Sequence, residues 1–226
     1  MQIVTESLDY YFDFADPVAY AISTQIEGWA RKLGLGVRWF AVPFMAATTP
    51  ILEVRAKAGQ ELASAYDFPL FPRFETDSRP ACRILNLTDP AHRAQLTMRL
   101  FQAWYATDLP PYSDLLLDGL ARDCFVDREA MRSAVLDEHH GADSSLADGA
   151  ARVLAAGASS FPAIIFPSGA VLEFGDLGAE GAATDVAQRA SEHGLNADSS
   201  TRPARCYLPM GDGPETFCRW CSCKRG

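Results

Sequence analysis

Cysteine is the residue type in this sequence whose side chain can do the most chemistry. Six cysteines occur in 226 residues, and four of them lie near the carboxyl end: Cys206, Cys218, Cys221 and Cys223. The last three are spaced C-x-x-C-x-C, which lets two thiolates converge on one soft metal ion while the third completes a trigonal site. With the first of the four as a fourth ligand, the cluster is a candidate zinc or copper(I) site.

The same cluster has three other interpretations. Arg219 and Lys224 lie beside it, and neighbouring cations lower the pKa of a thiol, so a redox-active pair is one alternative. A second alternative is a terminal segment whose thiols are incidental. The third is a cysteine-rich peptide that is itself a substrate.

Asp16, which precedes Pro17, is the second candidate for chemistry. An Asp side chain caps a helix by accepting hydrogen bonds from its first N–H groups, and Pro suits the first helical position. The structural interpretation of Asp16 is therefore an N-cap. The catalytic interpretation is a general base or a proton-accepting anchor. The two are compatible, since a cap at the floor of a pocket also reaches a ligand.

The elements around Asp16 form a predicted β–α–β unit. Residues 8–14 are aromatic-rich and predict a buried strand. Apolar residues then recur at helical spacing up to Gly34, and residues 36–42 predict a second strand. Two strands joined by one helix should be parallel, with a right-handed crossover.

Helices fill the middle of the chain, and strands return near its end. Residues 49–156 carry helical patterns, with five helices distinguished. Residues 161–166 and 170–174 are apolar runs around a Pro-Ser-Gly turn and predict a hairpin. A last helix is predicted over residues 179–193, and the polar residues 195–205 predict a linker.

We therefore predict an α/β protein of β–α–β…β–β–α order, with a large all-helical insertion and a Cys-rich tail. Residues 1–43 and 158–194 should share one mixed sheet. Residues 44–157 form the inserted helical domain, and residues 195–226 form the linker and tail.

Composition limits the classes of partner. The chain is 48% hydrophobic and 22% charged, which predicts a packed core, and its net charge of −9 argues against a nucleic-acid ligand. No apolar stretch approaches the ~20 residues of a membrane span, and the first residues lack the pattern of a signal peptide. We expect a cytoplasmic protein that binds a small molecule, thiol or peptide and does not bind membranes. The composition fits a monomer or a homodimer.

The element order is that of the thioredoxin fold with a helical insertion, and three segments resemble the DsbA-like superfamily. These segments are Phe12-Asp-Phe-Ala-Asp-Pro-Val-Ala-Tyr20, residues 77–82 and residues 160–164. The superfamily includes FrnE-like predicted disulfide isomerases, kappa-class glutathione transferases and 2-hydroxychromene-2-carboxylate isomerases. The resemblance covers residues 8–193 in organisation and does not include the tail.

The resemblance implies a site at the head of the first helix. The oxidoreductase motif resembles F-D-P-x-C-P-x-C-Y, and Asp16 and Ala19 stand at its cysteine positions, so thiol–disulfide exchange is not expected there. The isomerase and transferase motif resembles F-D-x-x-S-P-x-x-Y, in which the Ser hydroxyl stabilises the thiolate of glutathione. Asp16 occupies that position too, and an ionised carboxylate would repel a thiolate.

The same resemblance implies substrate-binding roles for other residues. Pro162 matches the family's cis-proline, and a cis bond would expose the backbone of Phe161 for strand-like hydrogen bonds to a thiol or peptide substrate. Tyr20 matches the last position of the motif. Asp176 matches the segment that holds the γ-glutamyl end of glutathione, although Leu177 stands where an Arg is frequent. Asp16 is thus the candidate catalytic residue, the other four are candidate substrate contacts, and glutathione is a candidate cofactor.

Three functional hypotheses follow. The first is an oxidoreductase- or isomerase-type enzyme that acts on a thiol-containing or small aromatic substrate without a working C-x-x-C. The second is a peptide- or partner-binding protein with no catalysis. The third places metal binding or redox chemistry in the cysteine cluster of the tail.

Overall fold

The structure, a computed structural model, describes residues 6–43, 49–71, 77–107, 112–136 and 143–195. Its strands are β1 (Ser7–Phe12), β2 (Gly36–Ala41), β3 (Ala163–Ile165) and β4 (Val171–Glu173). Its α-helices are α1 (Pro17–Lys32), α2 (Thr49–Tyr66), α3 (Arg79–Asn86), α4 (Arg93–Tyr105), α5 (Asp114–Cys124), α6 (Arg128–Leu136), α7 (Asp143–Ala155) and α8 (Ala182–Glu192). A short 3-10 turn, Pro90–His92, leads into α4.

The four strands form one mixed sheet in the order β2-β1-β3-β4. β1 and β2 are parallel, with Tyr10 opposite Trp39, as the β–α–β prediction requires. β3 runs antiparallel to β1, with Ile164 opposite Tyr10. β4 completes the predicted hairpin, with Leu172 opposite Ile164. The two halves of the chain therefore meet between β1 and β3.

Side chains of β1 alternate between two cores because successive residues of a strand point to opposite faces. Tyr10 and Phe12 face the larger core, where their rings lie 5.0 Å apart. Tyr11 faces the smaller core, which includes Val153 of α7 and Phe161. The sheet is thus covered on both faces, as a parallel strand pair requires.

The helical segment between the two halves packs onto the sheet layer through α2, which contacts both α1 and α8. Two details differ from the sequence prediction. Helix α3 was not predicted, although Pro80 near its start is a helix-start signal. Helix α8 begins at Ala182 and not near residue 179, because Gly181 adopts a left-handed conformation with φ of 77° just before it.

Within the residues that the structure describes, no helix is both long and apolar enough to cross a membrane.

Candidate functional site

Asp16 lies at the head of α1 and caps it. Its Oδ1 accepts a hydrogen bond of 3.0 Å from the backbone N–H of Val18, and Pro17 occupies the first turn. The predicted N-cap is therefore confirmed. The helix dipole also favours a carboxylate at this end.

A guanidinium from the helical insertion pairs with this carboxylate. Arg55 of α2 donates from Nε to Oδ1 of Asp16 at 3.1 Å and from Nη2 to Oδ2 at 2.5 Å. The two side chains are only 4% and 2% exposed. Because an unpaired buried charge is strongly unfavourable, removing either side chain would leave a lone buried charge on the other.

Arg55 also binds the loop that carries the proline. The Phe161–Pro162 peptide bond is cis, as the resemblance implied. Nη2 of Arg55 donates to the carbonyl of Phe161 at 3.3 Å, and Nη1 donates to the carbonyl of Phe174 at 2.7 Å. One side chain thus connects the head of α1, the cis-proline loop and the end of β4.

A glycine allows α2 to come this close. Gly59 lies one turn after Arg55, and a Cβ atom at its position would be 2.7 Å from Cβ of Pro17. Any larger residue would push α2 away from the first turn of α1. The close approach of these two helices therefore positions the guanidinium over the carboxylate.

The cis-proline loop is fixed from its other side by β4. The carboxylate of Glu173 accepts hydrogen bonds from the backbone N–H groups of Ser159 and Ser160, the second at 3.0 Å. Gly175 packs directly on this loop, since a Cβ there would lie 2.9 Å from the backbone nitrogen of Phe161. The position of the Phe161 carbonyl is consequently set by backbone contacts as well as by Arg55.

The structure brings Asp16, Phe161 and Pro162 together and separates Tyr20 from solvent. Tyr20 is 2% exposed, and its ring stacks on Phe101 at 5.4 Å in the main core. It lies one helical turn beyond Asp16. Its role as a substrate contact stays a prediction, as do those of Phe161 and Pro162.

Asp176 lies beyond β4 and is exposed. Arg189 of α8 donates to its two carboxylate oxygens at 2.6 and 3.2 Å. This hydrogen-bonded guanidinium holds the pKa of Asp176 below its ordinary value. The cation that pairs with Asp176 thus comes from α8, and the contact of Asp176 with glutathione stays a prediction.

The two cysteines that the structure describes have thiols that resist ionisation. Cys82 of α3 is fully buried and Cys124 of α5 is 1% exposed, and both are free. Burial raises the pKa of the Cys82 thiol well above its ordinary value and that of Cys124 to about 11. Neither thiol replaces the dithiol that is missing at the head of α1.

The predicted metal ligands, Cys206, Cys218, Cys221 and Cys223, lie outside the described residues. Within the described ranges, no group of three or more His, Cys, Asp or Glu side chains is arranged to hold a metal ion. The zinc or copper site of the tail therefore stays a prediction.

Sequence reasoning missed Arg55, the residue that completes the site. Its signal is its place on α2: it precedes Ala58 and Leu62, both fully buried, at helical spacings of three and seven. A charged residue on the buried stripe of an amphipathic helix needs a partner of opposite charge. The buried Asp16 is that partner, but the sequence alone does not show which carboxylate the helix will meet.

The chemistry of the pair favours charge neutralisation over proton transfer. Asp16 accepts hydrogen bonds from Val18 and twice from Arg55, so both of its carboxylate oxygens are already bound by donors of the protein. A guanidinium has five N–H groups. Two bind Asp16, one binds the Phe161 carbonyl and one binds the Phe174 carbonyl, so one donor on Nη1 has no partner among the residues that the structure describes.

Comparison with known proteins gives matches in structure alone. No protein-family profile matches the sequence, and no curated protein matches it. A 2-hydroxychromene-2-carboxylate isomerase has a similar structure, with a TM-score of 0.60 and 17% identity over 84% of this chain and 99% of that one.

Two bacterial proteins extend the likeness. The cytosolic disulfide reductase DsbM of Pseudomonas aeruginosa, which has also been solved with GSH, matches with a TM-score of 0.58 and 18% identity over 83% of this chain and 98% of the GSH-bound one. A probable DsbA oxidoreductase of Streptomyces coelicolor matches with a TM-score of 0.59 and 18% identity over 92% of this chain and 97% of that one. This chain therefore has the DsbA-like thioredoxin fold, with a helical insertion between the two halves of its sheet.

Proposed function

We propose that this protein is a non-redox enzyme of the isomerase type, which acts on a small aromatic or thiol-containing substrate at the head of α1. In this proposal glutathione supplies the thiol that is missing at the head of α1. The observation that carries the proposal is the Asp16–Arg55 ion pair, which stands where a thiol-dependent enzyme needs a cysteine.

The residue types distinguish between the two kinds of structural neighbour. A disulfide reductase needs a protein thiolate as the attacking group. Asp16 and Ala19 cannot supply one, and Cys82 and Cys124 are buried with raised pKa values. An isomerase with a glutathione cofactor requires no protein thiol, so this class is compatible with the residues at the site.

Arg55 offsets the charge repulsion that would otherwise oppose the binding of glutathione as a thiolate. An isolated carboxylate at position 16 would repel a thiolate, but its pairing with Arg55 offsets the negative charge. The remaining N–H of Nη1 is a donor for an anionic sulfur or oxygen. In this proposal Arg55 binds the anionic group, and Asp16 orients the guanidinium through two hydrogen bonds.

The test combines binding and turnover. We expect purified protein to bind glutathione in isothermal titration calorimetry and to isomerise a 2-hydroxychromene-type substrate in its presence. Arg55→Met should abolish both, whereas Arg38→Met, which changes a surface arginine paired with Asp9, should leave both unchanged. If wild-type protein neither binds glutathione nor isomerises the substrate, the proposal is overturned.

A second candidate is a partner-binding protein without catalysis. The specific observation in its favour is the near-complete burial of Asp16 and Arg55, together with the donation from Arg55 to the Phe161 carbonyl. That carbonyl is one of the backbone groups that a strand-like peptide would use. Recovery of a specific protein partner, with no turnover of any tested small substrate, would favour this candidate.

A further inference from the structure

Tyr105, at the end of α4, has a buried hydroxyl group without a hydrogen-bond partner. Its side chain is fully buried, and in the part of the chain that the structure describes no donor or acceptor binds its oxygen. Leaving a buried hydroxyl unpaired costs about 1–3 kcal/mol, so folded proteins rarely do so. An exception next to a candidate site indicates a role in binding.

The position of Tyr105 connects it with that site. Its ring lies 5.7 Å from the ring of Tyr20 at an interplanar angle of 11°, and Tyr20 is one turn beyond Asp16 on α1. Burial raises the pKa of Tyr105 well above its ordinary value, the negative charges of Asp16 and Asp13 raise it further, and Arg55 opposes them. All three charged groups therefore lie within electrostatic range, and the phenol stays protonated as a donor.

Another buried tyrosine hydroxyl of the same core does have hydrogen-bond partners. Tyr10 of β1 is also fully buried near the pair, and its hydroxyl donates to the backbone carbonyl of Ala19 at 2.8 Å while it accepts from Ser23 at 3.3 Å. A packed core can thus provide partners for a tyrosine hydroxyl on this side of the sheet. Other buried side-chain atoms of the described residues, such as Thr97 Oγ1 and Trp104 Nε1, also lack a partner; Tyr105 is distinguished by its ring contact with Tyr20, next to the candidate site.

We propose that the Tyr105 hydroxyl is a ligand-binding donor, which gives a hydrogen bond to the thiolate of glutathione or to an anionic oxygen of a small aromatic substrate held near Arg55. This inference rests on the proposed function and assigns a further residue to the same site. The bond replaces the partner that the phenol lacks, and no covalent step is involved. Tyr105 and Arg55 would then bind the anion from α4 and α2, both in the helical insertion.

The test uses Tyr105→Phe, which removes a single oxygen atom, with Tyr66→Phe as its matched control. The hydroxyl of Tyr66 also has no partner among the described residues, but burial alone raises its pKa to about 12, with no contribution from the charged pair. The probes are glutathione and salicylate, a small aromatic anion, in titration calorimetry. Urea unfolding without probe gives the stability of each variant.

We expect Tyr105→Phe to weaken binding of at least one probe by about tenfold or more, as for a hydrogen bond to a charged group. Tyr66→Phe should stay within about twofold of wild type. Without probe, Tyr105→Phe should be as stable as wild type or more stable.

Three outcomes would overturn the inference. Unchanged affinity in Tyr105→Phe removes the donor role while leaving the proposed function intact. A Tyr105→Phe variant that is clearly less stable than Tyr66→Phe means that the hydroxyl has a partner inside the folded chain. Wild-type protein that binds neither probe contradicts the proposed function, and the inference with it.

Discussion

At the head of α1, Asp16 stands where the motifs that this sequence resembles carry a thiol or a serine hydroxyl, and the guanidinium of Arg55 pairs with it. Asp16 keeps the capping role that a polar residue has at this position, and Arg55 offsets the charge that would otherwise repel an anionic ligand. With Asp16 and Ala19 at the cysteine positions of the motif, the site cannot carry out thiol–disulfide exchange. It still has a capped helix start facing a cis-proline loop. In the proposed function, this site binds an anion.

The thiols that the structure describes should be unreactive in the folded protein. Iodoacetamide reacts with thiolates, and burial of Cys82 and Cys124 disfavours both access and ionisation. We expect peptide mass spectrometry after native labelling at pH 8 to find neither residue modified, and to find both modified in urea. Native labelling of either residue at its rate in urea would contradict this prediction.

At the scale of elements, the site depends on how closely the helical insertion packs on the thioredoxin-like halves. Helix α2 provides Arg55 to the head of α1, and four residues later Gly59 allows the backbone approach. Two residues further, the Glu61 carboxylate accepts a hydrogen bond of 3.1 Å from the backbone N–H of Ala183 at the start of α8. One helix therefore connects both halves.

The close approach of α2 to α1 should be sensitive to one methyl group. Gly59→Ala places a Cβ 2.7 Å from Cβ of Pro17, and overpacking outweighs the gain in helix propensity, so we expect a loss of about 1–2 kcal/mol in unfolding free energy. Gly149→Ala in α7 is the matched control. Among the described residues its Cβ would meet the Val42 side chain, at 3.3 Å, and stability should be unchanged or higher. Equal urea midpoints for both variants would show that the packing of α2 tolerates the methyl group.

Glu61 should act as a cap supplied from another helix. Gly181 at the N-cap position of α8 has no side chain, so Glu61→Ala should cost about 1 kcal/mol in unfolding free energy. Glu61→Gln keeps a carbonyl acceptor and should retain most of that stability. Glu53→Ala, an exposed change in the same helix, is the control for urea unfolding. A Glu61→Ala variant as stable as that control would rule out the cap.

Much of the element order was predictable because local signals determine it. The Asp16-Pro17 start, the end of α1 at Gly34 and the hairpin around residues 167–169 are short-range features of turn and cap chemistry, and each is confirmed. The pairing of Asp16 with Arg55 was not predictable. It joins residues 39 positions apart, and depends on the angle at which α2 crosses α1.

At the scale of the whole molecule, the ion pair lies where the sheet domain and the helical insertion meet. Its guanidinium also binds the carbonyls of Phe161 and Phe174, so residues from three distant parts of the chain converge on one buried charge. Because this contact crosses between the two parts, we expect them to unfold together. In the proposed function, a ligand at the head of α1 would be bound by residues of both parts.

A double-mutant cycle on this pair measures directly how strongly Asp16 and Arg55 stabilise each other. Asp16→Asn keeps the cap acceptor and removes the charge, Arg55→Met keeps the apolar stem, and the double variant carries both changes. We expect each single change to lower the unfolding free energy by about 3–5 kcal/mol and the double change to cost clearly less than their sum, since a lone buried charge is left in each single variant. The exposed pair of Asp9 and Arg38, treated in the same way, should couple by less than about 1 kcal/mol. A coupling energy for Asp16 and Arg55 no larger than that of the exposed pair would contradict the central claim that these two side chains form a buried, mutually stabilising ion pair at the head of α1.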